Sequence, residues 1–91
     1  MNKHILFVMR SLDNPELFTQ EEKEVNRKSA NTAYAANTAA AASVYAAAAV
    51  AAANSAANSA AFTEYWVNKF FKRSGEDKQT YIDEINKMLG E

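Results

Sequence analysis

SANTAYAANTAAAASVYAAAAVAAANSAANSAAFT, residues Ser29 to Thr63, is the stretch whose reading decides the fold: it holds no charge, no Gly and no Pro. From Ala30 to Ala61 alanine fills more than half of the positions, and most of the others are Asn, Thr or Ser. Alanine is the strongest helix former and loses no side-chain rotamer entropy on folding, so a long, smooth, uncharged helix is expected. The tract divides without gaps into three units of eleven: ANTAYAANTAA (Ala30–Ala40), AASVYAAAAVA (Ala41–Ala51) and AANSAANSAAF (Ala52–Phe62). Eleven residues make three turns at about 3.67 residues each, which places equivalent positions in nearly straight stripes. Alanine faces let helix axes approach closer than the usual separation of about 8–10 Å. In such a bundle Tyr34, Val44, Tyr45 and Val50 act as spacers that set register, with Ala47 in the middle of the packing surface.

Outward from the tract, Thr19-Gln20-Glu21-Glu22 reads as a helix start, a capping box in which Thr19 and Glu22 satisfy each other's backbone N–H. No Gly or Pro follows until Gly75, and Lys69, Lys72 and Arg73 supply cations for the far end of the helix dipole. Taken literally, Gln20 to Arg73 is one unbroken helix, roughly 80 Å long at about 1.5 Å per residue. A compact chain of this size has a radius of gyration of only about 12 Å. Either the helix bends back on itself, or it stays long and other copies cover its flanks. The one weak point for a bend is Asn54-Ser55-Ala56-Ala57-Asn58-Ser59, and a turn there would call for Gly before Asn. The expectation is therefore an all-α homo-oligomeric helical bundle built on a continuous helix over about 20–73. A helical hairpin bent near 54–59 is the alternative.

Both flanks read as short helices, giving a single all-helical domain over 1–91 with elements at 1–14, 19–73 and 76–89. Ile5, Val8, Met9 and Leu12 recur at the spacing of one helical face, and Asp13-Asn14-Pro15 ends that helix. Leu17 and Phe18 are expected to pin the following loop onto a neighbour. After Gly75, Glu76 and Asp77 open a last helix whose apolar face is Tyr81, Ile82, Ile85, Met88 and Leu89, closed by Gly90. Folding of the short helices onto the long one would gather an aromatic cluster around Trp66, Phe70 and the Tyr81–Leu89 face.

The net charge of −1 argues against a general polyanion binder, and with no cysteine there is neither a disulfide framework nor a thiolate metal site. The N-terminal apolar run stops at Arg10 without a small-residue cleavage site, which argues against a signal peptide. A membrane role is not expected, because Asn31, Asn37, Asn54 and Asn58 would each need a partner in lipid. The cytoplasm is the expected compartment.

Two resemblances follow from these residues. The alanine content, with Thr at eleven-residue spacing, resembles type I antifreeze helices. Position three, however, drifts through Thr32, Ser43 and Asn54, and Tyr34 and Tyr45 interrupt a flat face. The whole chain, ending in Tyr-Trp-Val-x-x-Phe-Phe-x-Arg-Ser-Gly-Glu-Asp-Lys-Gln-Thr-Tyr-Ile-Asp, resembles small alanine-rich accessory proteins of tailed bacteriophages. That resemblance carries no catalytic motif; it implies a host-cytoplasm context and a role in modulating a host or defence protein.

No phosphate-binding glycine loop, metal-ligand cluster or nucleophilic triad can be assembled, so no catalytic, cofactor-binding or metal residue is assigned. His4 has no partner motif and reads as structural. Glu64, beside Tyr65 and Trp66, is expected to form a surface pair or rim contact near Lys69. The informative region is the mixture of Tyr65, Trp66, Lys69, Phe70, Lys72 and Arg73, with Phe71, Lys78 and Tyr81 beyond. Trp, Tyr and Arg are favoured anchors of protein interfaces. The expected function is that of a non-catalytic interaction protein which binds and modulates a partner protein, most readily a host protein. The alternatives are an oligomer that sequesters a nucleotide-like small molecule and a nucleic-acid-binding accessory protein.

Overall fold

The computed structural model describes residues 1–34, 41–54 and 60–90. These residues form five α-helices and, among them, no strand: α1 (Lys3–Asp13), α2 (Gln20–Tyr34), α3 (Ala41–Asn54), α4 (Ala60–Ser74) and α5 (Lys78–Leu89).

Asn2 starts α1 by accepting from the backbone N–H groups of His4 and Ile5, and Asn14 closes it by donating to the Arg10 carbonyl. The capping box opens α2, with Thr19 N donating to Glu22 Oε1 at 2.9 Å and Glu22 N to Thr19 Oγ1 at 3.1 Å. In the loop between them Phe18 stacks on Phe7, with ring centroids 3.9 Å apart, and the Arg10 guanidinium lies over the Phe18 ring. Phe18 is thus the anchor, and Leu17 is exposed. Gly75, at φ 75°, ends α4 in the left-handed region that favours glycine. Asp77 then caps α5 by accepting from Gln79 N.

The continuous helix over 20–73 does not form. Its span is carried by α2, α3 and α4, and α3 packs against both of the others. The Asn54 side chain, at the end of α3, donates to the Lys23 carbonyl near the start of α2 at 3.0 Å, so α2 and α3 run antiparallel. The expected bend near 54–59 falls, from residue 55 on, outside the described residues. The helices on either side of it, α3 and α4, make the most extensive helix pair of the fold. Sequence alone places no break between Tyr34 and Ala41. The eleven-residue units therefore do not stack along one axis: the second lies within α3, while the first begins in α2 and the third spans the end of α3 and the start of α4. With principal extents of 37 × 27 × 22 Å and a radius of gyration of 12.4 Å, the chain has no room for the rod that a continuous helix would make.

The reason is burial. An α-helix without charges is best placed where neighbours cover most of its surface. Here α1, α2 and α4 all pack on α3, and Ala46, Ala49 and Val50 are fully buried with Ala52 close behind. Small side chains let three neighbours share one central helix. The rest of the core comes from Ile5, Val8, Met9, Ala30, Val67, Phe70, Phe71, Tyr81 and Ile85. Of the expected spacers, Val50 is buried and Tyr34, Tyr45 and Ala47 are half-buried. Val44 is 47% exposed. Among the described residues no helix is long and apolar enough to cross a membrane.

Candidate partner-binding face and the His4 network

Helix α4 divides by its own periodicity. Thr63, Val67, Phe70 and Phe71 turn inward and are buried. Phe62, Tyr65, Trp66, Lys69, Lys72 and Arg73 recur at spacings of three and four and share the opposite face. Phe62 and Tyr65 are about half exposed, Trp66 and Lys69 are half-buried, and Lys72 and Arg73 are exposed. Trp66 is the hub: its ring meets Tyr65 edge-on at 5.1 Å and Phe62 edge-on at 6.2 Å, and stacks with Tyr45 of α3 at 5.9 Å. The Lys69 ammonium lies 5.4 Å from the centroid of Tyr65. Tyr65, Asn68, Lys69 and Lys72 line a recess of about 200 Å³.

Five of the six expected partner-binding residues are therefore brought together. Phe70 is the exception: 3% exposed, it packs edge-on against Phe71, which in turn meets Tyr81 at 4.8 Å. The expected single aromatic cluster is in fact two, an outer one around Trp66 and an inner one of Phe70, Phe71 and Tyr81. Residue spacing explains the split, because Trp66 and Phe70 are four apart but lie on either side of the boundary between surface and core. Among the described residues Glu64 forms no ion pair with Lys69, and it lines a separate cavity with Met9 and Asp13. Leu89, placed on the inner face of α5 by its spacing, is 72% exposed.

A second constellation has no signal in the sequence. His4 is 5% exposed, with Nε2 3.1 Å from Ser29 Oγ and Nδ1 3.3 Å from the Tyr34 hydroxyl. Because Asn2 Oδ1 is committed to the α1 cap, its Nδ2 is the atom that donates to Tyr34, at 2.5 Å. A proton order in which Tyr34 donates to His4 Nδ1 and His4 Nε2–H donates to Ser29 satisfies all four groups, and the opposite tautomer, with Ser29 donating to Nε2, fits the same distances. Desolvation, then the nearby Lys3 charge, holds the His4 pKa below its usual value and keeps the ring neutral. Burial raises the Tyr34 phenol pKa against the opposing pull of the Asn2 hydrogen bond. The network continues through the Asn2 backbone N–H, which donates to the Tyr81 hydroxyl at 2.6 Å, and Tyr81 donates to Glu76 Oε1 at 2.5 Å. Burial first, and then this bond to Glu76, push the Tyr81 pKa far up, so it remains a donor. No spacing rule in the sequence joins residues 2, 4, 29, 34, 76 and 81.

No family model, curated protein or solved structure matches this chain.

The chemistry of the two constellations must therefore be read from their own groups. The His4 network is closed: each side chain in it has its partner inside the fold, and it ties α1 to α2 and α5. The α4 face is open. It joins three cations to a connected aromatic surface, and among the described residues the ion pair belongs to Arg27 and Glu24 on α2, not to this face.

Proposed function

We propose that this chain is a non-catalytic interaction protein that binds and modulates a partner protein through Phe62, Tyr65, Trp66, Lys69, Lys72 and Arg73. The observation that carries the reading is the pairing of half-exposed aromatic rings with three cations that make no ion pair among the described residues. Aromatic and arginine side chains supply most of the energy of interface hot spots. Three cations on one stripe call for a partner whose facing surface is acidic around an apolar centre. They also disfavour a two-fold contact of the stripe with itself, which would bring like charges together. Self-association is expected where a long uncharged helix needs covering, and within one chain α1, α2 and α4 already cover α3. The resemblance to phage accessory proteins supports a host or defence protein as the partner and the host cytoplasm as the setting.

The test is affinity purification from host cells with mass spectrometry, comparing the natural chain with a Tyr65→Ala, Lys69→Glu, Lys72→Glu variant. These side chains lie outside the core, so the variant should keep its helical circular dichroism and unfold cooperatively, with a melting temperature lowered only by the loss of favourable charge at the end of α4. A protein captured by the natural chain and lost with the variant supports the reading; equal capture by both overturns it. The recess beside Tyr65 favours one second reading, sequestration of a nucleotide-like molecule with its base on the aromatic surface and its phosphates on Lys69 and Lys72. A nucleotide released by denaturing the purified protein would support it. Nucleic-acid binding would instead show as an affinity that falls steeply with salt.

A further inference from the structure

The recess on the α4 face is a set of donors against an aromatic wall. Tyr65, Asn68, Lys69 and Lys72 line it, and no carboxylate does among the described residues. Asn68 is oriented from α5, where Lys78 Nζ lies 2.9 Å from Asn68 Oδ1. An ammonium can only donate, so the amide oxygen is committed to Lys78 and Nδ2 is the atom left to donate elsewhere. No described residue accepts from it. Lys69 is held as well: half-buried, with its ammonium 5.4 Å from the centroid of the Tyr65 ring.

Lys72 follows one turn further along α4, so the two lysine stems leave the helix about 5–6 Å apart at Cβ. Like charges at this spacing oppose each other, and an anion between them turns the opposition into a clamp. The chain does not supply that anion. Glu64 lines the separate cavity with Met9 and Asp13, and Glu76 Oε1 accepts from the Tyr81 hydroxyl. The recess measures about 200 Å³, below the roughly 300–1,000 Å³ of pockets that enclose a whole small-molecule ligand. It suits a single side chain. Beside it the Tyr65 ring stands edge-on to Trp66 at 5.1 Å, a surface on which a further ring can pack.

Resting on the reading of α4 as the partner face, we propose that this recess is a carboxylate socket. It takes one glutamate or aspartate side chain of an acidic partner segment, between Lys69 and Lys72 and onto Asn68 Nδ2, while an aromatic neighbour of that residue packs on Tyr65 and Trp66. A carboxylate accepts and never donates, which matches the donors it meets. A basic side chain would face two ammonium groups and is rejected, and a neutral amide gains no charge-assisted bond.

The experiment titrates the chain with the acetylated and amidated peptide Glu-Glu-Trp-Glu-Glu and with its neutral match Gln-Gln-Trp-Gln-Gln, by NMR and calorimetry at low salt, where screening is weakest. The acidic peptide should bind about tenfold more tightly than the neutral one, the scale of a hydrogen bond to a charged group. Its binding should shift the Asn68 side-chain amide together with the Lys69 and Lys72 signals, and exchanging its Trp for Ala should weaken it about threefold. A Lys69→Gln, Lys72→Gln variant should lose most of the preference. A Lys28→Gln, Lys87→Gln variant, which removes the same charge from exposed positions on α2 and α5, should retain it. Asn68→Asp keeps an acceptor for Lys78 but replaces the donor with a charge, and should abolish it. Circular dichroism melts establish that each variant is folded. Equal affinity for the two peptides, a preference that survives loss of Lys69 and Lys72, an equal loss in the Lys28 and Lys87 variant, or displacement of the peptide by an equimolar amount of inorganic phosphate would each overturn the socket. Because the titrations use the isolated chain, such a result beside a host protein whose capture depends on Tyr65, Lys69 and Lys72 overturns the socket and leaves the partner face standing. Capture that ignores those residues overturns the face, and the socket's role with it.

Discussion

His4 is a neutral base kept neutral by its surroundings, and that makes it a stability switch with a definite sign. In the unfolded chain it titrates near 6.5; in the fold, burial and the charge of Lys3 depress its pKa. The unfolded state therefore takes up the proton at higher pH than the native state does. His4 costs nothing above the unfolded value. Stability declines as pH falls through 6.5 and goes on declining until the folded pKa is passed. As the chain's only histidine, it is the one side chain with an ordinary pKa in that window. The melting temperature should fall between about pH 7.5 and about pH 5.5, and a His4→Gln variant, whatever its absolute stability, should show a flatter profile over the same range. An equally steep profile in the variant would mean that the folded chain accepts the proton on His4 without loss. Nothing in the sequence announces this role. His4 sits in an otherwise ordinary amphipathic α1, and its partners Ser29 and Tyr34 lie far along the chain on α2.

Among the elements, α3 carries the consequence of an alanine-rich centre. Each alanine buries little apolar area, so large residues elsewhere must supply the core, as Ile5, Val8, Val67 and Tyr81 do. What α3 contributes is closeness, and closeness makes it intolerant of size. Ala49→Leu, at a position with no exposure, should destabilise the fold by about 1–3 kcal/mol through overpacking. Ala51→Leu, on the exposed side of the same helix, should change stability by about 0.5 kcal/mol or less. Thermal melts of the pair measure the contrast; equal effects would show that α3 is not the covered centre. The ends of elements are the most readable part of the chain. The Thr19–Glu22 box, the Pro15 stop and Gly75 all act locally, through groups a few residues apart. The packing of α2 and α4 on α3 is not readable in the same way, because the sequence between these helices carries neither Gly nor Pro and alanine favours helix throughout. What decides it is tertiary: Asn54 reaching back to the Lys23 carbonyl, and Tyr34 held by Asn2 and His4. The α4 face is half legible for a related reason. Spacing puts Tyr65, Lys69 and Lys72 together, but the phase that sends Phe70 inward and Trp66 outward depends on where α3 lies.

For the whole molecule, the two foldings of the alanine tract differ in a quantity that needs no atomic detail. A continuous helix of roughly 80 Å has, as a thin rod, a radius of gyration of about 23 Å before any partner is added. The three shorter helices α2, α3 and α4, packed with α1 and α5, give 12.4 Å. That is the compact-chain value of about 12 Å expected for this length. Covering the tract from within also removes the reason for several chains to associate, so the compact form should have the mass of one chain, 10.0 kDa. Small-angle scattering at micromolar concentration should therefore return a radius of gyration close to 12.4 Å together with that mass. A radius near the rod value, or a multiple of the chain mass, would mean that other copies rather than α1, α2 and α4 cover the alanine faces. Adding Ala49→Leu to the same measurement ties the two scales together. If α3 is the centre of a single chain, the substitution lowers the melting temperature and leaves the mass unchanged; if α3 is a seam between chains, it shifts the mass.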